Sequence, residues 1–200
     1  MDLTRLQADT FLRGAEHHAE INSTNDRALE LCKVTELPVP HLVLADQQTS
    51  GRGRGANRWW SSDGALLFSI VVDAAEFGLP ESRWPQVSLT AGVTVCEVLG
   101  NVSSADVGLK WPNDIWLNNR KVCGILVEVP PVQRGRLVIG IGLNVNNSFA
   151  AAPPELQTFA TSLCDESGAE FDRTKLLGDV VRQLEVDLRR LAANDPSLSD

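Results

Sequence analysis

The sequence predicts an α+β fold, a mixed β-sheet flanked by helices, and three stretches carry that prediction. Residues 137–146 alternate strictly, with Leu137, Ile139, Ile141, Leu143 and Val145 on one side and Val138, Gly140, Gly142, Asn144 and Asn146 on the other. That is the period-two pattern of a strand with one face in a core. Residues 65–72 form an apolar run suited to a strand buried on both faces. Residues 173–193 set Leu177, Val181, Leu184, Leu188 and Leu191 along one helical stripe. Hairpin turns rather than regular βαβ units join the strands. No repeat, linker or low-complexity tract divides the 200 residues, so a single domain over 1–200 is expected.

The remaining elements follow in order. The spacing of Leu3, Leu6, Ala8, Phe11 and Leu12 predicts a short helix over 3–12. Residues 15–21 are expected to be extended; His17 and His18, adjacent on a strand, would point to opposite faces and form no chelating pair. Ser23-Thr24-Asn25-Asp26 ahead of Ala28-Leu29-Glu30-Leu31 is an N-cap signature, although the same hydroxyls, or the free amides of the first turn, could instead face a ligand. Pro38 and Pro40 close that helix, and 41–45 reads as a strand. A helix is predicted over 82–99, with Trp84, Val87, Ala91, Val95 and Val98 at helical spacing, while the β-branched residues of Val93-Thr94-Val95 leave a strand open. Pro112 biases Trp111 towards extended backbone and places a turn or bulge there. Asn118-Asn119 is expected to turn a hairpin into 121–129. Residues 149–170 read as irregular, and Asp172 as the cap of the last helix, which carries an i,i+4 pair of Glu185 and Arg189.

The net charge of −8 argues against a general nucleic-acid binder, which needs a basic face. Against that background residues 46–60 stand out. They hold Gly51, Gly53 and Gly55 at alternate positions with Arg52, Arg54 and Arg58, and close on Trp59-Trp60. Glycine allows backbone to approach a ligand, and arginine forks suit phosphate or carboxylate. By composition alone a solvated surface loop fits as well. The spacing is not that of a dinucleotide loop, there is no Gly-Lys-Ser/Thr phosphate loop, and all three histidines lie in the first 41 residues, so no Ser-His-Asp order is arguable. Cys32, Cys96, Cys123 and Cys164 form no C-x-x-C pair and read as reduced thiols. No signal-peptide pattern and no apolar stretch of membrane-spanning length is seen, so a cytoplasmic, membrane-free protein is expected. The arginine-glycine stretch, Lys110 at a strand end, and the glycine-asparagine strand face together suit a carboxylate and a nucleotide phosphate held side by side.

Five segments resemble the catalytic domain of biotin protein ligases: Ser23-Thr24-Asn25; Gln47-Gln48 with Gly51-Arg52-Gly53-Arg54 and Trp59; Lys110-Trp111-Pro112-Asn113-Asp114; Cys123-Gly124-Ile125-Leu126-Val127-Glu128; and Gly140-Ile141-Gly142-Leu143-Asn144-Val145-Asn146. They appear in that family's order and cover roughly residues 20–190. The resemblance implies the fold shared by class II aminoacyl-tRNA synthetases and biotin protein ligases. It also implies a two-step reaction, in which ATP, with Mg²⁺, activates biotin to biotinyl-5′-AMP and the biotin passes to a lysine of a biotin carboxyl carrier domain. By the same resemblance Ser23, Thr24, Asn25, Gln48, Gly51, Arg52, Gly53, Lys110 and Gly124 would bind biotin, and Arg52, Arg54, Trp59, Lys110 and Asn144 the adenylate. Lys110, Arg52 and Arg54 would be catalytic. No metal ligand is assigned. Ala56 stands where many relatives have glycine, which is tolerable unless that residue needs positive φ. Neither an N-terminal helix-turn-helix nor a C-terminal SH3-like barrel is expected, and a homodimer through a sheet edge is compatible with the reading. A lipoate or octanoate ligase, or a non-catalytic biotin- or adenylate-binding protein, are the alternatives.

Overall fold

In the computed structural model, which describes residues 1–150 and 152–195, one seven-stranded sheet organises the chain. The strands are β1 (Gly14–Ile21), β2 (His41–Gln48), β3 (Leu66–Asp73), β4 (Val107–Lys110), β5 (Asp114–Leu117), β6 (Arg120–Glu128) and β7 (Arg136–Leu143). They lie in the order β1-β2-β3-β7-β6-β5-β4. The β1–β2 pair is parallel and every other pair antiparallel, the mixed α+β sheet that the hairpin turns predict. The helices are α1 (Leu3–Asp9), α2 (Thr24–Leu31), α3 (Val87–Val102), α4 (Pro154–Gln157), α5 (Leu163–Ser167) and α6 (Arg173–Ala193).

The two sheet faces are treated differently, and that asymmetry makes room for the site. One face carries Leu42, Leu44, Leu66, Phe68, Ile70, Leu137, Ile139, Ile141 and Leu143 into a core closed by α3 and α6. The opposite face is covered only in part, by α2, whose Ala28 and Leu31 pack on Val43, Val71 and Val138. Period-two alternation therefore holds in β7, but Val138 is not open surface; the cover of α2 ends at Gly140, on which its Asn25 lies. Asp172 caps α6 through Thr174 and Lys175 N–H, and the Glu185–Arg189 pair forms at 2.8 Å.

The predicted helix over 82–99 begins later than expected. Glu81–Gln86 is a 3-10 turn containing Pro85, which has no N–H for an α-helical bond, and regular helix starts at Val87. The strand alternative for 93–95 fails, since these residues lie inside α3; the single hydroxyl proton of Thr94 has two alternative acceptors, Thr90 O one turn back at 3.0 Å and the buried Asp187 of α6 at 2.7 Å. The region read as irregular contains α4 and α5, each too short to show apolar periodicity; Ser162 caps α5 and Gly168, at φ 71°, ends it.

Arg136 opens β7 and is buried without a carboxylate partner among the described residues. Its guanidinium donates to Cys32 O at 3.2 Å, Val34 O at 2.9 Å and Thr35 O at 3.1 Å, the carbonyls where α2 ends. A cation at a helix C-terminus meets both orphan carbonyls and the helix dipole. Arg136→Ala is expected to cost about 2–4 kcal/mol in urea unfolding, with Arg136→Lys recovering only part because an ammonium lacks the fork. A change below about 0.5 kcal/mol would mean that water replaces the arginine at no cost.

Candidate active site

At the N-terminus of α2, Gly124, Gly140 and Gly142 line the bottom of a cavity of about 510 Å³. That size suits a small-molecule ligand. The glycines are required by their neighbours. A Cβ on Gly140 would stand 1.8 Å from Asn25 Oδ1, and one on Gly142 would stand 2.6 Å from the Trp59 ring. Gly124 is likewise within 3.0 Å of that ring.

One wall is the N-terminus of α2. Ser23 Oγ caps it by accepting from Asp26 N–H at 3.4 Å. The Gln48 side-chain oxygen accepts from Thr24 N–H at 2.7 Å and from its hydroxyl at 3.1 Å. Ser69, wholly buried in β3, donates from one hydroxyl to Thr24 Oγ1 at 2.8 Å and Asn25 Oδ1 at 2.6 Å, alternatives that share a single proton. Asn25 Nδ2 donates to Glu128 at 2.9 Å. Ser69 holds this wall together although the resemblance does not assign it. The signal for it is a lone hydroxyl within an apolar run, which a buried strand tolerates only with partners.

The second wall is the glycine-arginine stretch, which folds as a small hairpin. Arg52 and Arg58 bridge, Gly53 N–H donates to Asn57 O at 2.9 Å, and Trp59 N–H donates to Gly51 O at 2.9 Å. Gly55 takes the left-handed position, φ 67°, so Ala56 is under no demand for glycine. The three arginines are not equivalent. Arg52 donates to Asp26 at 2.6 Å and to both oxygens of Glu128 at 2.7 and 3.1 Å; the hydrogen bond to Glu128 is the largest influence raising its pKa. Its fork is therefore a latch between α2 and the end of β6 rather than a free anion site. With Arg52 38% and Asp26 48% exposed, the Asp26 arm is worth about 1 kcal/mol or less; the bidentate Glu128 arm, on a carboxylate 22% exposed, is the stronger of the two. Arg54 and Arg58 line the cavity, and their side chains have no ion pair or hydrogen bond among the described residues.

The third wall corrects the lysine. Lys110 does not line the cavity. It is exposed on the edge strand β4, with its ammonium 4.1 Å from the centre of the Trp116 ring. The lysine within is Lys121, at the start of β6: its Nζ meets Asp114 at 2.6 Å and lies 5.7 Å from the Trp59 ring centre. A hairpin register counted back from Asn118-Asn119 pairs Lys121 with Trp116, and that is the signal that could have found it. Asn144 also lies elsewhere. It follows β7 and is buried; Nδ2 donates to Thr161 O at 3.0 Å and Oδ1 accepts from Asn147 at 3.0 Å, so its amide braces loops instead of facing the cavity. Asn146 is similarly engaged by the backbone of Phe171. Gly51 lies behind the wall, against Trp59 O. Of the residues expected from the resemblance, Ser23, Thr24, Asn25, Gln48, Arg52, Gly53, Arg54, Trp59 and Gly124 do line the cavity, and Gly51, Lys110 and Asn144 do not.

The resulting surface is positive, with Arg52, Arg54, Arg58 and Lys121 facing Asp114, in a chain whose net charge is −8. Trp59 spans the glycine floor, and its Nε1 is buried against Gly142 without a hydrogen-bond partner among the described residues. An indole wall, arginine side chains and a fixed ammonium are what an extended anionic ligand needs: an apolar surface to lie on and charge neutralisation.

The biotin/lipoate A/B protein ligase family model matches residues 18–146. The bifunctional ligase/repressor BirA of Bacillus subtilis is 35% identical over 167 residues, 82% of this chain and 50% of that protein. The biotin--[acetyl-CoA-carboxylase] ligase of Mycobacterium tuberculosis is 34% identical over 162 residues, 79% of this chain and 58% of that one. The chain thus spans about half the length of these curated relatives. A solved structure of the biotin protein ligase from Aquifex aeolicus in complex with biotin and ATP matches with a TM-score of 0.78 and 31% identity, covering 91% of this chain and 73% of that chain. Sequence, fold and cavity thus agree that the chain belongs to the biotin/lipoate A/B protein ligase family.

Proposed function

We propose that the chain is a biotin–protein ligase that forms biotinyl-5′-AMP from biotin and ATP and transfers the biotin to a lysine of a carrier domain. The observation that carries this reading is Lys121, an ammonium fixed on Asp114 over a floor of glycine backbone, beside two arginines whose side chains have no partner among the described residues. In the first step a biotin carboxylate oxygen attacks the α-phosphorus of ATP and pyrophosphate leaves. Both reactants are anions, so their approach is opposed by Coulomb repulsion. Lys121 between them offsets it and stabilises charge that grows in the transition state. Thr24, Asn25 and Gln48 hold the polar ring of biotin, and Trp59 covers the adenylate against water. In the second step the acceptor ε-amine attacks the acyl carbon and AMP leaves.

Arg54 and Arg58 hold phosphate oxygens. Arg54→Gly is expected to leave synthesis of the adenylate in place but to speed its escape by roughly tenfold or more, the worth of one charge-assisted hydrogen bond. Unchanged release, followed by filter-trapping of labelled adenylate, would remove Arg54 from this role. Mg²⁺ enters with ATP as counter-ion to its phosphates. No group of three or more His, Cys, Asp or Glu side chains placed to hold a metal occurs among the described residues, and the acids near the cavity, Asp114, Asp26 and Glu128, are all in ion pairs. Among the described residues no helix is long and apolar enough to cross a membrane.

The test is exchange of radiolabelled pyrophosphate into ATP by the purified chain. Exchange that requires biotin and is absent with lipoate or octanoate supports the proposal. Exchange with the lipoyl-type acids alone assigns the chain to the other branch of its family. Biotin binding with no exchange makes it a binding protein.

A further inference from the structure

The geometry points to Glu166 as the positioning residue for Lys121, acting through the backbone that carries the lysine and not by touching substrate. The inference rests on the role given to Lys121 above. Lysine is a poor choice for a fixed charge unless its base is held, because its stem is long and flexible. Here the base sits at a weak point of the sheet: the β5–β6 register shifts between Ile115 and Trp116, and Trp116 is the residue opposite Lys121.

What compensates lies outside the hairpin. Lys121 N–H donates to Phe159 O at 2.9 Å, and Lys121 O accepts from Thr161 N–H at 2.9 Å, which makes a short parallel bridge with Ala160. Both main-chain groups of the lysine are thus held by the segment between α4 and α5. That segment is secured by one carboxylate. Glu166, in α5 and only 8% exposed at its side chain, accepts from Thr161 Oγ1 at 2.7 Å, from Arg120 Nη2 at 2.5 Å and from Asn118 Nδ2 at 2.7 Å. Its three donors belong to the pinning segment, to the residue before the lysine, and to the tight turn in which Asn118 and Asn119 have φ 45° and 65°. Asn144 adds a second tie by donating to Thr161 O.

Burial alone would raise the Glu166 carboxyl. The hydrogen bonds from Thr161 and Asn118 and the Arg120 guanidinium outweigh it and hold the group below the usual carboxylate range, so it is ionised at neutral pH. Glu166 does not line the cavity. Its effect on chemistry must therefore pass through the placement of Lys121, and displacements of about 1 Å can cost roughly a hundredfold in rate.

The test compares the full chain with Glu166→Ala, Glu166→Gln and Thr161→Val. Two quantities are read: kcat and KM for biotin-dependent pyrophosphate exchange per folded molecule, and the rate at which an acetylating reagent modifies Lys121 relative to Lys175, by peptide mass spectrometry. Glu166→Ala is expected to lower kcat by about 30–100-fold with KM for biotin and ATP moving by no more than about threefold, and to raise Lys121 labelling several-fold. Glu166→Gln, which keeps an acceptor oxygen for Thr161 and Arg120, is expected to recover most of the loss. Thr161→Val removes one of the three contacts and should lower kcat by about three- to tenfold. Unchanged kcat per folded molecule and unchanged labelling, with only a lower melting temperature, would overturn the proposal and leave Glu166 a purely structural residue. If Glu166→Ala does not fold, Thr161→Val decides on the same two readouts. A wild-type chain with no exchange would overturn the ligase reading instead, while the labelling contrast would still decide whether Glu166 positions Lys121.

Discussion

Lys121→Ala is expected to lower biotin-dependent pyrophosphate exchange by about 10²–10³-fold or more, with the circular dichroism spectrum and melting temperature nearly unchanged. The size follows from where the ammonium stands. It is 21% exposed, is fixed at 2.6 Å from Asp114, and shares the cavity with the glycine floor, so water screens it less than a surface charge. A cation held in place before reaction needs no reorganisation as negative charge builds, and loss of one such donor is worth about 2.7–4 kcal/mol. Lys110→Ala, by contrast, is expected to change the rate by no more than about twofold, since removing an exposed ammonium from a tryptophan face gives up only about 0.5–1 kcal/mol of cation–π attraction. The opposite ranking of the two lysines would return Lys110 to the chemistry and reduce Lys121 to a partner of Asp114.

Gly140→Ala carries the second large effect. The new methyl would stand 1.8 Å from Asn25 Oδ1 and 2.7 Å from its Cγ, and alanine has no χ angle by which to turn it aside. Asn25 must swing away, and it is buried, bonded to Ser69 at 2.6 Å and to Glu128 at 2.9 Å. Breaking those bonds leaves buried polar atoms unsatisfied, at about 1–3 kcal/mol each. A loss near 3 kcal/mol, or roughly 6–12 °C in Tm, is expected, together with a biotin Kd weakened by at least about tenfold. The companion Asn25→Ala, by vacating the space, should remove the clash: in the double variant the two stability losses should be less than additive. Strict additivity would show that the glycine is not there to admit Asn25.

Much of the architecture was legible because it depends on local patterns. The alternation as far as Leu143, the stripe of the last helix and its Asp172 cap, and the Asn118-Asn119 turn are each written in one continuous stretch of chain, and the structure follows them closely. The wall made by Ser23, Thr24, Asn25 and Gln48 was found through resemblance, since its residues lie on separate elements. Misplacement came where two local readings competed. Lys110 next to Trp111-Pro112-Asn113-Asp114 looked like the lysine of the site, but edge-strand geometry turns it onto Trp116, whereas Lys121 reaches the cavity from the neighbouring strand. Asn144 and Asn146 looked like readers of a ligand because strand parity continues to them; the strand ends at Leu143, and beyond it parity no longer fixes direction.

By itself, then, the amino-acid order determined the elements, the buried face of the sheet, and a concentration of glycine and arginine fit for an anion, because periodicity, caps and turns act over a few residues. Tertiary structure alone decided which charges are free. Arg52 is occupied by Asp26 and Glu128, residues 26 and 76 positions away in the chain, while Arg54 and Arg58 remain open. It alone put Lys121 in the cavity wall and Lys110 outside it, and brought Glu166 to the segment that holds the Lys121 backbone. Whether an ionised group serves as a strut or as a site depends on the partners that packing brings within about 4 Å, and those partners are distant in sequence.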